Sequence, residues 1–295
     1  MVWQEVSVEV PYEYVEPVSY LFSRYGHGLT MELEGDGADR VLLRTYLPST
    51  SKQRLARIDV GVRLVNIIQS VGELKVRPLP EDEDWQNAWK AHFTLLKLGQ
   101  HLVVKPSWID HAPAPEDVVI ELDPGMAFGT GYHPTTYTCL EAMERRLRPG
   151  MVVLDLGTGS GILTIAAVKL GAVRVVALDI DPVAVRAARQ NFRRAGILRH
   201  VTLAPGTVPH SLAREGQFDL AVANISARGV KERAPFILPL LKPQGVFIAS
   251  GIIDEQQQDV GDALLAVGFS QVEVLLREEW VTLMCSRDSV LANVR

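Results

Sequence analysis

VVLDLGTGSGIL, residues 152–163, runs from an unbroken apolar stretch into a glycine cluster and out into a second apolar stretch. The first part reads as a buried strand and the last as the start of a helix. Between them, glycines at 157, 159 and 161 permit a tight turn and let backbone lie against a ligand with no side chains in the way. A dinucleotide fingerprint, G-x-G-x-x-G, would place its third glycine at 162, where this chain has Ile162. The spacing is instead D-x-G-x-G-x-G, with Asp155 two residues ahead of Gly157.

Outward from that turn the alternation continues. RVVALDI (174–180) is a strand leading into the helical PVAVRAARQNFRRAG, and VTLAPG, FDLAVAN (218–224), GVFIAS and QVEVLL read as further strands with helical patterns between several of them. WVTLMCS (280–286) follows QVEVLL so closely that the two should lie antiparallel. Upstream, TYTCLEAMERRLRPG reads as a helix ending at Pro-Gly, with its basic run ERRLR (144–148) solvated near the C-terminus. Strands alternating with helices predict an α/β fold with a doubly wound, mainly parallel sheet. In such a sheet ligands bind beyond the carboxyl ends of the strands, where strand order reverses.

Two side chains end strands at that edge. Asp179 closes RVVALD, 22 residues past Gly157, where a carboxylate accepts hydrogen bonds from ribose hydroxyls. Asp181, just before Pro182, suits a helix cap, so Asp179 is preferred for the ribose. Asn224 ends FDLAVAN. It can cap the next turn, or its amide oxygen can accept an N–H from a substrate amine and orient that nitrogen without adding charge; strand position favours the second.

The first eighty residues have another rhythm. VWQEVSVEV (2–10) alternates as a half-buried strand, YVEPVSYLFSRYG (14–26) puts Val18, Leu21, Phe22 and Tyr25 on one helical face, and LTMELE and RVLLRTYL alternate again. SKQRLARIDVGVRLVNIIQS (51–70) is helical and ELKVRPL (73–79) a short strand. The order β-α-β-β-α-β is the split, ferredoxin-like arrangement. No catalytic constellation stands out there, and docking or recognition is its expected use. EDEDWQNAWKAHF (81–93) reads as a packed interdomain helix, QHLVVKPSW as a strand and HAPAPEDV as a loop. The chain therefore divides into a recognition domain over 1–80, an interdomain helix and linker over 81–122 and a catalytic domain over 123–295.

Bulk composition narrows the function. The 295 residues are 47% hydrophobic and carry a net charge of −5, which argues against gripping nucleic acid through its phosphates. Cys139 and Cys285 are too few and too far apart for a disulfide framework or a tetrahedral zinc site. They suit a reducing cytoplasm. The N-terminus lacks the pattern of a secretory signal, no apolar run spans a bilayer, and a cytoplasmic protein is expected. The histidines at 27, 92, 101, 111, 200 and 210 show no metal-ligand spacing, and no metal is expected.

The most distinctive stretch lies ahead of the glycine turn: DPGMAFGTGYHPTT (123–136), a loop rich in glycine and proline. LDLGTGSGIL resembles motif I of the class I S-adenosylmethionine-dependent methyltransferases. Together, DPGMAFGTGYHPTT, LDLGTGSGILTIAAVKLGA, ALDIDPVAV and VANISA resemble the ribosomal protein L11 methyltransferase (PrmA) family, as do EDEDWQNAWKAHF, LVVKPSW, SGIIDEQ and EEWVTL. GTGSG stands where that family usually has GCGSG, GTGYHPTT for GTGTHPTT and NISA for NILA. The resemblance implies a ferredoxin-like N-terminal domain that docks the substrate and a class I methyltransferase domain. It implies S-adenosylmethionine as cofactor and multiple methylation of lysine side chains and the N-terminal amine of a basic large-subunit ribosomal protein, with no membrane, direct nucleic acid or metal partner. Carried across by motif, the cofactor contacts are Thr136, Gly157, Asp179 and Asn224; Gly159, Asp155 and Phe128 join the cofactor-binding set, with Asn224 as the catalytic residue. The 123–136 loop is expected to cover the sulfonium end of the cofactor. His133 suits a general base by its pKa range, but shaping the loop ahead of Pro134 is preferred. Two other readings use the same sheet: a methyltransferase for another protein or a small amine, and a non-catalytic cofactor module. A nicotinamide oxidoreductase fits the sheet but not the glycine spacing.

Overall fold

The computed structural model describes residues 3–11, 14–33, 40–68, 70–79, 94–123, 131 and 133–287. The chain forms two compact units, one built mainly from residues up to Thr94 and the other from Leu95 onward. Phe128 and the helix expected over 81–93 lie outside the described residues.

In the first unit the elements are β1 (Trp3–Pro11), α1 (Val15–Tyr25), β2 (His27–Leu33), β3 (Arg40–Pro48), α2 (Lys52–Ile68) and β4 (Lys75–Pro78). The sheet order is β2-β3-β1-β4 with antiparallel neighbours, the split arrangement read from the sequence. Period-two alternation puts Val6, Val8 and Val10 of β1 on one face. They pack with Leu43 and Leu47 of β3, Val18 and Phe22 of α1, and Ile58 and Val62 of α2. The two helical pairs are each four residues apart, so each helix turns one face to the sheet.

The second unit begins with a small sheet of β5 (Leu96–Leu98), β6 (Leu102–Lys105) and β7 (Val118–Glu121). Strands β5 and β7 escaped the sequence reading because three or four residues give too short an alternation to score. Their burial makes 95–123 part of this unit: Leu98, Leu102, Val104, Ile120 and Leu122 join one core cluster with Leu140, Met143 and Ile165. Next come α3 (Pro134–Arg146), β8 (Val152–Leu156), α4 (Ile162–Lys169), β9 (Arg174–Asp179), α5 (Pro182–Arg194), β10 (Val201–Pro205), β11 (Phe218–Asn224), α6 (Ala227–Ile237), β12 (Leu241–Ile253), α7 (Gln257–Val267), β13 (Phe269–Arg277) and β14 (Trp280–Arg287).

The large sheet runs β10-β9-β8-β11-β12-β14-β13. β10, β9, β8, β11 and β12 pair in parallel, and β14 is antiparallel to both β12 and β13, as the closeness of the last two strands implied. From β8 the chain winds outward through β9 and β10, then restarts on the other side of β8 with β11. The reversal between β8 and β11 is the crevice where ligands bind in such sheets. α3 starts two residues earlier than the sequence pattern suggested, because His133 caps it and Pro134 fits the first turn. Arg145 and Arg146 near its end pair with Glu141 and Glu273.

Phe22 is fully buried in the first unit. Phe22→Ala should cost about 3–5 kcal/mol of that unit's stability. Hydrogen exchange checks this: amides of β1 and β3 should lose protection while those of β8 and β11 keep theirs.

Candidate active site

The turn after β8 is shaped by backbone conformation. Gly157, Gly159 and Gly161 have φ of 76°, 54° and 86°, values costly for residues with a Cβ. Two also sit against neighbours: a Cβ on Gly157 would lie 2.5 Å from Ile225 Cγ2, and one on Gly161 2.3 Å from the Phe192 ring. The N–H groups of Gly157 and Thr158 donate to the Leu178 carbonyl at the end of β9. The turn is thereby pinned to the neighbouring strand.

Asp179 completes this junction. Its Oδ2 accepts from Gly159 N–H at 2.8 Å and its Oδ1 from Asp181 N–H at 2.9 Å. A carboxylate has about four lone-pair sites, so both oxygens retain capacity for hydroxyl donors. Asp181 accepts from Val183 N–H and caps α5, the role its position before Pro182 suggested. Between them Ile180 is 76% exposed, an apolar side chain at a polar edge. Sequence reasoning passed over it, although a β-branched residue between two aspartates at a strand end was the available signal.

Asp155 lies under the turn rather than in its mouth. It is fully buried, and its Oδ2 accepts from the hydroxyls of Thr158 at 2.7 Å and Thr164 at 2.6 Å. Oδ1 has no hydrogen-bond partner among the described residues. Burial raises this carboxyl to about 6 against the two hydroxyl bonds, which lower it. Thr158 is the departure within GTGSG; its hydroxyl is a stronger donor to the buried carboxylate than a thiol would be.

Across the crevice, Asn224 at the end of β11 meets Thr136 in the first turn of α3, Asn224 Nδ2 donating to Thr136 Oγ1 at 3.4 Å. Two residues 88 positions apart, each singled out from a different motif, are thus brought together. In this contact the amide's NH2 end lies against the Thr136 hydroxyl. Oδ1 then has no donor among the described residues and serves as the acceptor. The chain leaves Asn224 by a bend in which Ile225 N–H donates to Ser250 O. Gly251 makes room for that bend: φ is 84°, and a Cβ there would meet Ile225 O at 2.1 Å. Ser226 accepts from Gly229 N–H as the cap of α6.

His133 serves as the N-cap of α3, its side chain accepting from Thr135 N–H. Its ring stands edge-on to Trp280 with centroids 4.9 Å apart. Burial lowers it to about 4, only partly offset by Glu279, so the imidazole is neutral at pH 7 and a poor proton acceptor. Gly131, also in the loop, is buried and faces Ile162 and Val104. Among the described residues no three His, Cys, Asp or Glu side chains gather as metal ligands, and no helix is long and apolar enough to cross a membrane.

The family model for ribosomal protein L11 methyltransferase (PrmA) matches residues 2–288. The chain belongs to this family. A PrmA-family protein of Chloroflexus aurantiacus, named ribosomal protein L11 methyltransferase, is 42% identical over 97% of this chain and 98% of its own length. Its namesake from Herpetosiphon aurantiacus is 41% identical over 95% of this chain. The crystal structure of a ribosomal protein L11 methylase from Lactobacillus delbrueckii subsp. bulgaricus superposes with a TM-score of 0.61 at 35% identity, covering 66% of this chain and all of the other. The second unit is a class I methyltransferase sheet, and the enzyme is an S-adenosylmethionine-dependent methyltransferase.

The site suits that cofactor. The glycine turn presents bare backbone, Asp179 keeps acceptor sites for two hydroxyls, and Ile180 offers an apolar surface to a base. Gly157, Gly159 and Asp179 would hold it on the β8–β9 side, with Asn224 at the end of β11 and Thr136 at the start of α3 on the other.

The buried histidine predicts a pH effect. Its folded pKa, about 4, lies below the unfolded 6.5, so its contribution to stability is present above pH 6.5 and lost as pH falls toward 4. Asp155, raised to about 6 from 3.8, acts in the opposite sense over the same window. His133→Asn removes only the first effect. Relative to the parent, its melting temperature should rise as pH is lowered from 7 to 4.5; a constant difference would show that His133 is not buried in its neutral form.

Proposed function

We propose that this enzyme transfers methyl groups from S-adenosylmethionine to lysine side chains, the N-terminal amine, or both, of a basic large-subunit ribosomal protein of the L11 type. The carrying observation is the Asn224–Thr136 contact at the carboxyl end of β11, which engages the amide nitrogen and leaves the uncharged amide oxygen without a donor among the described residues. The relatives' names supply the substrate, and the four-stranded first unit, which carries no catalytic cluster in its sequence, is the docking module. A ribosomal substrate sets the work in the cytoplasm.

When bound, the cofactor supplies an activated methyl on a sulfonium, so the protein's task is placement and exclusion of water. A free lysine amine has a pKa of about 10.4, and a dehydrated crevice favours its neutral form. Asn224 Oδ1 accepts one N–H of that amine and turns its lone pair toward the methyl. The carbonyl accepts from a primary or a once-methylated amine alike, which suits repeated transfer. His133 takes no proton in this scheme, since it is engaged as a cap and its basicity is too low.

The experiment is methyl transfer from labelled S-adenosylmethionine to purified L11. The parent should label it, and Asn224→Ala should lower turnover at least tenfold, the scale of a lost orienting contact. Unchanged turnover removes Asn224 from the mechanism. Label on other proteins but not on L11 would point to a different acceptor, and binding without any transfer to a cofactor module.

A further inference from the structure

Beneath Asn224 and Thr136 runs a chain of three buried hydroxyls. Thr138 Oγ1 of α3 lies 2.6 Å from Thr282 Oγ1 of β14, and Thr282 Oγ1 lies 2.6 Å from Ser250 Oγ of β12. Thr282 and Ser250 are fully buried and Thr138 nearly so. In the layer around them lie Leu140 and Met284 of the adjoining core and the buried thiol of Cys139, which also meets Ser250 and Thr282. Hydroxyls in such a layer are costly to bury and restrict geometry once joined.

The ends of the chain lie next to the site. Thr138 is two residues beyond Thr136 on the same helix. Ser250 is the register partner of Asn224 across the β11–β12 pair, and its carbonyl accepts from Ile225 N–H. The hydroxyl chain therefore connects the element carrying Thr136 to the strand beside Asn224. β14 holds α3 a second time through Trp280 against the His133 cap. Trp280 and Thr282 are two apart on a strand and face the same side, so the two ties straddle Thr136.

We propose that Thr282 is a positioning residue for methyl transfer: through Thr138 and Ser250 it sets the approach of Thr136 to Asn224. It does so without touching cofactor or acceptor. The inference rests on the role given above to Asn224. Packing alone does not call for a hydroxyl at this place, because valine has the same branched shape. Without it, neither neighbour is stranded: Thr138 Oγ1 also reaches Pro134 O at 3.0 Å, and Ser250 Oγ reaches Val281 O at 3.3 Å. Thr282→Val thus cuts the tie while leaving both partners hydrogen-bonded.

The test compares the parent with Thr282→Val, Thr282→Ser, Asn224→Ala and the double variant Asn224→Ala/Thr282→Val, using full-length enzyme, S-adenosylmethionine and L11. Thr282→Val should slow single-turnover transfer about tenfold at saturating substrates, the sensitivity expected of a small misplacement, while cofactor Kd and L11 KM stay within about twofold. Thr282→Ser, which keeps the hydroxyl, should recover most of the rate. In the Asn224→Ala background, Thr282→Val should add little, since both act on one contact. Parent-like transfer by Thr282→Val beside a slow Asn224→Ala overturns the inference and leaves the site reading intact; so do equal losses in the Val and Ser variants, or full additivity. Parent-like transfer by Asn224→Ala overturns the site reading and this inference with it. If Thr282→Val does not fold, Ser250→Ala cuts the chain at its other end and carries the same expectations.

Discussion

The carboxylate of Asp179 joins three pieces of chain that the site needs together. It ends β9, accepts from Gly159 in the turn after β8, and accepts from Asp181 at the head of α5. With the Leu178 carbonyl holding Gly157 and Thr158, it sets the turn in one conformation. That conformation is open only to glycine at 157 and 161, where left-handed φ combines with a neighbour inside the space of a Cβ. Below it, Asp155 is buried as a carboxyl held by two threonine hydroxyls. The floor of the crevice is thus shaped by the chain's own hydrogen bonds, and preorganised geometry is what a transfer depending on alignment requires.

The opposite wall is assembled differently. Thr136 and Asn224 come from a helix that precedes the sheet and a strand beyond the reversal, and the antiparallel β14 holds the helix in place at His133 and Thr138. Here the structural role of the antiparallel strand becomes visible. By running against β12 it brings its first residues, rather than its last, to the ligand edge.

Much of this was legible in the sequence because it is local. Period-two strands, helical faces, a glycine turn of unusual spacing and acids at strand ends depend on residues a few positions apart, and the fold class and both four-stranded and doubly wound sheets follow from them. The assignment of Asp181 as a cap was legible for the same reason. Strands β5 and β7 were not, since three or four residues of alternation mean little until Leu98 and Ile120 are seen inside a core. For Ile180 the sequence offers only a β-branched residue between two aspartates, and its exposure at the strand edge emerges from the tertiary structure.

The sequence by itself determined which residues end the strands, where the backbone must turn left-handed, and which family the motifs resemble. Only the tertiary structure decided that Asp155 lies beneath the turn, that His133 is a neutral cap, and that Thr136, Asn224, Ser250 and Thr282 form one connected wall. The physical reason is range: burial and hydrogen bonds between residues such as Thr138 and Thr282, 144 positions apart, are fixed by how strands are ordered, and strand order leaves no periodic trace in the chain.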